Sequence, residues 1–161
     1  MGSDVLGASL FVPSPARALY EAVLDVRGFP RWAPGVRRVE VIEGTPGPGM
    51  VSEWELSFLG LKRKVRSVLE VAEAPERLRW AYYEGPVNGW GECSIEELGR
   101  GALAEFRTEL RMEEPMLQRL TRTSHAHGIA VGHLKRCLLR LGEAVSEDGA
   151  LVQVGPLLVA G

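Results

Sequence analysis

Cysteine, lysine and side-chain amides are all scarce in this sequence of 161 residues. The two cysteines, Cys93 and Cys137, lie far apart and show no metal-ligand spacing, so we expect free thiols in a reducing compartment. Lysine occurs three times against sixteen arginines, and the amides are limited to Asn88, Gln118 and Gln153. Few thermolabile amides suit a heat-adapted protein, and a GC-rich genome would produce the same bias.

A strong excess of charge and a long hydrophobic run are also absent. A formal net charge of −2 gives no basic surface for nucleic acid, so no nucleic-acid partner is expected. No run of about 18 apolar residues occurs, which argues against stable membrane insertion. The opening MGSDVLG has neither the basic nor the apolar segment of a signal peptide, so we expect a cytoplasmic protein. The length predicts one domain, residues 1–147, followed by an apolar tail, residues 148–161.

Alternation of polar and apolar residues predicts seven strands. The first covers residues 5–12, and six more follow residue 35, joined by short turns rich in glycine and proline. In the last strand Phe106 and Leu110 share one face while Glu105 and Arg107 share the other, as in an antiparallel strand with one buried face. The six predicted ranges are 36–44, 49–58, 62–74, 77–85, 89–98 and 102–112.

Helical patterns occur before the second strand and after the last. Ser14 and Pro15 are suited to begin a helix, which Gly28 ends. The following FPRWAPG allows one or two turns at most, because Pro34 stops it. From Pro115 the apolar period becomes 3.6, which predicts a helix of about 30 residues and about 45 Å. A helix of that length must lie across the sheet, which we expect to curl around it.

The apolar stripe of this long helix is predicted to face the sheet. Its members are Met116, Leu120, Ser124, His127, Val131, Leu134, Leu138, Leu141 and Val145. The cationic residues expected in solvent are Arg122, Lys135, Arg136 and Arg140. The predicted fold class is therefore α+β, a seven-stranded curved antiparallel sheet around a long C-terminal helix, with two short helices between strands 1 and 2.

This order of elements resembles the START-like (SRPBCC) superfamily, which includes polyketide cyclases, lipid-transfer proteins and coenzyme Q-binding proteins. The segments that carry the resemblance are SPARALYEAVLDVRGFPRWAPGVRRVEVIEG, GWGECSIEEL and GALAEFRTEL, within residues 4 to about 146. The resemblance implies the helix-grip fold, in which sheet and helix enclose an apolar cavity. It implies that Phe29 and Trp32 help to close one end of that cavity. From the residues alone, the two aromatics would serve equally well as plugs of a solid core.

The cavity predicted in this way is lined by large apolar and aromatic side chains from the sheet, the short helices and the long helix. The predicted lining residues are Phe29, Trp32, Trp54, Leu56, Phe58, Leu69, Trp80, Tyr82, Ile95, Phe106, Leu110, Leu120, Ser124, His127 and Val131. Core packing is the alternative for the aromatic members.

Three residues are candidates for chemistry. His127 interrupts the apolar stripe and is either a core histidine satisfied by neighbours or a polar group that orients a ligand oxygen. Tyr82, if buried, needs a partner for its hydroxyl. Glu92 would have a raised pKa and act as an acid or base only if it and Trp90 faced inward; otherwise it is a solvated glutamate.

Neither a metal site nor a cofactor is predicted. His125 and His127 point about 200° apart on a helix, and His133 lies about 12 Å from His125 along the axis. The favoured function is non-catalytic binding and transport of a small hydrophobic ligand, such as a lipid, isoprenoid quinone or polyaromatic compound. The alternatives are a polyketide cyclase or dehydratase that uses the same cavity, and a protein-interaction module. The apolar tail is expected to dock on its own domain or to join two copies in a homodimer.

Overall fold

The computed structural model is described for residues 5–58, 60–122, 125–146 and 152–157, without the side chains at positions 58, 117, 120 and 121. The strands are β1 (Val5–Val12), β2 (Val36–Glu43), β3 (Val51–Phe58), β4 (Leu61–Glu73), β5 (Arg77–Tyr83), β6 (Val87–Leu98), β7 (Gly101–Met112) and β8 (Gln153–Gly155). The helices are α1 (Ala16–Leu24), a 3-10 helix (Val26–Arg31), α2 (Pro115–Thr121) and α3 (Ala126–Val145).

The strands form one antiparallel sheet in the order β2-β3-β4-β5-β6-β7-β1-β8. Strands β2 to β7 follow each other as neighbours, and β1 pairs with β7, for example Leu10 opposite Ala104. The α+β fold and the seven predicted strands are confirmed, and the sheet has one strand more than predicted. That strand, β8, has three residues, too few for an alternating pattern to reveal it.

The described part of the C-terminal tail docks on its own domain. β8 pairs with β1, and the Ser9 hydroxyl donates to the carbonyl of Pro156 at 2.8 Å. On the helix side, a Cβ at Gly142 would lie 2.4 Å from Val152 Cγ1, so glycine permits this close approach. The remaining tail residues, 148–151 and 158–161, lie outside the described residues. A homodimer through the tail stays a prediction.

Helix α1 is held in place by its buried face and by a contact that precedes it. Leu19, Tyr20 and Val23 are buried against the sheet. The helix begins after Pro15, and Ser14 does not cap it, contrary to prediction. The Ser14 hydroxyl instead donates to the carbonyl of Val145 at 3.3 Å, and this bond joins the start of α1 to the end of α3.

The prediction of one uninterrupted C-terminal helix is wrong. α2 ends at Thr121 and α3 begins at Ala126. The sequence between them is RTSH, and serine and threonine are residue types with only moderate helix propensity. Residues 123 and 124 lie outside the described residues. α3 itself has 20 residues, which gives a length of about 30 Å. Met116 of α2, which was predicted to face the sheet, is exposed.

The filled core lies at the C-terminal end of α3. Leu138 and Leu141 are buried there as predicted, together with Leu10, Val12 and Leu19. Both cysteines are free and buried. The N-terminal half of α3 is more exposed, and it is there that sheet and helix stand apart.

Candidate functional site

A cavity of about 1220 Å³ lies between the concave face of the sheet and α3. Ten of the fifteen residues predicted to line it do so: Phe29, Trp32, Trp54, Leu56, Leu69, Trp80, Tyr82, Phe106, Leu110 and His127. Ser124 lies outside the described residues, as do the side chains of Phe58 and Leu120. Most of the sheet residues that alternation predicts to face inward therefore line the cavity.

Two of the predicted lining residues are placed elsewhere. Ile95 faces inward but is packed in the core, opposite Ala104, at the filled end of the molecule. Val131 is half-buried and does not border the cavity. The prediction assumes one continuous helix from Pro115. Because α3 is a separate helix, the residues that face the sheet differ from those that this assumption selects. The described α3 residues at the wall are instead Ala126, Ile129, Ala130, His133, Leu134, Arg136, Cys137 and Leu138, with His127 at the edge.

An aromatic cluster forms one wall. The Phe29 and Trp32 rings lie 4.2 Å apart between centroids, and Phe29 meets Trp54 edge-on at 4.8 Å. Phe29 comes from the 3-10 helix, where Pro30 and the turn that follows keep the segment short. The Trp54 indole donates to the Ser67 hydroxyl at 2.9 Å, which fixes its plane. The segment between α1 and β2 thus presents apolar aromatic surface to the cavity.

A buried polar group occupies another part of the cavity wall. The Trp80 indole donates to the Tyr82 hydroxyl at 2.8 Å, and the Thr108 hydroxyl donates to the carbonyl of Trp90 at 2.8 Å. Tyr82 and Thr108 oxygens are 3.4 Å apart. Because the Thr108 hydroxyl donates its proton to the Trp90 carbonyl, the Tyr82 hydroxyl is the donor in its contact with Thr108. The indole has room because a Cβ at Gly91 would lie 2.4 Å from the Trp80 ring.

These bonds decide what Tyr82 can do. Burial raises the pKa of Tyr82 above its ordinary value, and the bonds with Thr108 and Trp80 only partly oppose this. Tyr82 therefore stays protonated, with its hydrogen directed to Thr108. It offers a ligand a lone pair rather than a proton.

Glu92 does not enter the cavity, so its interpretation as a catalytic acid or base is wrong. Trp80 lines the cavity, and Arg79 beside it points to the outer face, where it pairs with Glu92. Glu92 accepts from Arg77 at 2.8 Å and Arg79 at 3.3 Å. Burial alone would raise its pKa, but these two arginines hold the pKa of Glu92 below its ordinary value.

The histidine that matters at the wall is His133 rather than His127. His127 is exposed at the edge of the cavity. His133 is half-buried, and its Nε2 is 3.6 Å from where a Cβ of Gly35 would lie. Burial lowers the pKa of His133, the charge of Arg136 lowers it further, and the nearby Pro34 carbonyl opposes both. The sequence signal was the spacing of Ala130, His133 and Cys137, all on one helix face.

Another polar pair joins β4 to the segment before α2. Arg63 lines the cavity, and its Nε donates to Glu114 Oε2 at 2.7 Å, with a second bond to Oε1. Nearby, the Gln118 amide donates to the carbonyl of Met112 at 3.0 Å. Sequence reasoning missed this pair, since its two members are 51 residues apart in the chain. Cys137 also borders the cavity, and burial raises its pKa to about 11, so it remains a thiol.

A curved antiparallel sheet that packs around a C-terminal helix and encloses an apolar cavity defines the helix-grip fold. Residues 7–146 match the family model described as polyketide cyclase / dehydrase and lipid transport. The chain belongs to this family.

Solved structures share the fold at low sequence identity. TTHA0849 from Thermus thermophilus has a TM-score of 0.76 and 21% identity, with 88% of this chain and 97% of that one covered. Zhui aromatase/cyclase from Streptomyces sp. R1128 has a TM-score of 0.70 and 17% identity, with 93% and 100% covered. A START superfamily protein from Mycobacterium smegmatis has a TM-score of 0.67 and 16% identity, with 85% and 94% covered. At these identities the likeness shows the fold alone.

Two further observations are negative. None of the curated proteins matches this sequence significantly. Among the described residues, no helix is both long and apolar enough to cross a membrane.

Proposed function

We propose that this protein binds and carries a small hydrophobic ligand in its internal cavity. The observation that carries the proposal is a mainly apolar cavity of about 1220 Å³. Protein interiors are close-packed, with few voids larger than a water molecule. A space of this size exceeds the usual range of about 300–1,000 Å³ for small-molecule pockets, which favours a ligand of lipid, quinone or polyaromatic size.

Affinity would come mainly from apolar area, at about 25 cal/mol for each Å² removed from water. The Phe29, Trp32 and Trp54 cluster offers flat surface for stacking. The wall is mainly apolar, and the remaining lone pair of the Tyr82 oxygen would fix orientation by accepting from a ligand hydroxyl. The family description, which includes lipid transport, supports the same function.

Native mass spectrometry of the purified protein tests the proposal directly. We expect apolar small molecules that leave on denaturation, and calorimetric binding of a neutral apolar compound such as dodecanol after they are stripped. Ala130→Trp fills the wall of the cavity and should weaken that binding at least tenfold. Ala144→Trp, on the exposed side of the same helix, is the control and should bind normally. Absence of any binding would favour the protein-interaction alternative.

A cyclase-type reaction is the second candidate, and His133 is the observation that favours it. A half-buried imidazole with a lowered pKa is neutral at pH 7 and can accept a proton beside a cavity. The test is incubation with a linear poly-β-ketone thioester and detection of an aromatic product. His133→Gln should abolish the reaction and leave dodecanol affinity unchanged. No product with the wild type would remove this candidate.

A further inference from the structure

The charges around the cavity are of one sign. The described residues that line it include no aspartate or glutamate, although the whole chain has 21 acidic residues. The cationic and titratable members are Arg63, Arg107, Arg111, Arg122, Arg136, His127 and His133. We propose that the ligand is an amphiphilic anion whose apolar body fills the cavity and whose terminal carboxylate or phosphate lies at the opening, where it binds Arg122 or Arg136. This inference rests on the proposed function and names the ligand class.

Three of the five arginines are already engaged. Arg63 makes two bonds to Glu114, which neutralise it. Arg107 contacts the carboxylate of Glu105, and Arg111 contacts that of Glu109. These three therefore contribute little attraction for a ligand anion.

Arg122 and Arg136 differ in this respect. Within the part of the chain that the structure describes, no carboxylate lies within ion-pair distance of either guanidinium. Arg122 follows the end of α2, and Arg136 lies on α3 one turn from His133. Both border the cavity while remaining exposed, so they stand at its opening. An arginine fork at such a rim can bind a carboxylate or phosphate with two parallel hydrogen bonds.

The field of Arg136 reaches the cavity wall. After burial, the charge of Arg136 is the second cause that lowers the pKa of His133. An anion seated between the opening and His133 would gain from this uncompensated positive potential, because the apolar wall screens it weakly. A neutral ligand gains nothing from it.

An anionic membrane surface could use the same arginines, since exposed Met116 and Ile129 lie on the same two helices. The effect of Arg136 on a residue of the cavity wall favours a ligand inside instead. Binding to free anions and binding to vesicles separate the two.

The probes are dodecanoate, dodecyl phosphate and dodecanol, titrated by calorimetry at pH 7.5 into stripped protein. We expect the wild type to bind at least one of the anions about tenfold or more tightly than the alcohol. The double variant Arg122→Gln/Arg136→Gln should lose that advantage and keep its affinity for dodecanol. Arg119→Gln/Arg140→Gln removes the same charge from α2 and α3, at positions that do not line the cavity, and should change neither affinity. The preferred anion identifies the head group as carboxylate or phosphate.

Equal affinity for anions and alcohol, or equal losses in the two double variants, would overturn the inference and leave the proposed function standing. Absence of binding by all three probes would instead sink the proposed function, and the inference with it. Vesicles of phosphatidylglycerol provide the remaining arm. If Arg122→Gln/Arg136→Gln lowers vesicle binding and leaves the affinity for both anions unchanged, the arginines serve a membrane surface.

Discussion

His133 couples the wall of the cavity to the pH of the solvent. Because its pKa is lowered from 6.5 in the folded protein, the unfolded chain takes up the proton first as pH falls. The stability that this group contributes is therefore complete above about pH 6.5 and is lost as pH falls toward the folded pKa. We expect His133→Gln to flatten this part of the profile.

Urea unfolding between pH 7.5 and pH 5 checks this, with His125→Gln, an exposed position, as control. A slope in His133→Gln equal to that of the wild type would contradict the prediction.

Gly91 provides a second prediction at the scale of one residue. A Cβ there would meet Trp80 at 2.4 Å, so Gly91→Ala must displace the indole and disturb its bond to Tyr82. We expect a loss of about 1–3 kcal/mol in the free energy of unfolding. Gly128→Ala, in α3 with nothing within 4 Å of its Cβ, should be neutral or stabilise by up to about 1 kcal/mol. Comparable losses in both variants would refute the role of Gly91.

At the scale of one element, α3 is packed at one end and borders the cavity at the other. Leu141 is fully buried in the core, and we expect Leu141→Ala to cost about 2–5 kcal/mol. Leu134 is half-buried and borders the cavity, so its removal enlarges an existing space. Leu134→Ala should therefore cost clearly less, about 1 kcal/mol. Denaturant titration measures the loss in the free energy of unfolding for each variant. Equal losses would contradict the prediction, because they would mean that protein atoms fill the space beside Leu134.

The strands could be predicted from the sequence because each has one buried and one solvated face, which alternation records directly. The same alternation placed Trp80 and Tyr82 on the cavity face. Alternation showed that Ile95 faces inward, but it could not show that Ile95 lies in the filled core instead of at the cavity. Whether the space opposite a strand is filled depends on other elements. His133 and the bond between Arg63 and Glu114 were missed for related reasons. A helical phase holds only within one continuous helix, and a contact between distant segments leaves no periodic trace.

At the scale of the whole molecule, the tail covers an edge of the sheet. β8 occupies the outer side of β1, whose backbone groups would otherwise be unpaired. A chain ending at Ser146 should self-associate and unfold at lower temperature. Light scattering and thermal unfolding would show this, with a chain ending at Leu157 as control. A truncated chain that stays monomeric with unchanged thermal stability would mean that β8 contributes nothing to the edge.

The four tryptophans are divided between two environments. Trp32, Trp54 and Trp80 border the cavity, whereas Trp90 lies on the outer face, 4.6 Å beneath Arg79 and bonded to Glu109. Indole emission depends on the polarity around the ring, so three of the four emitters report on whatever occupies the interior. In a Trp90→Phe protein every change of intrinsic emission on ligand addition would arise at the cavity. Intrinsic tryptophan fluorescence can therefore report occupancy of the cavity without an added label.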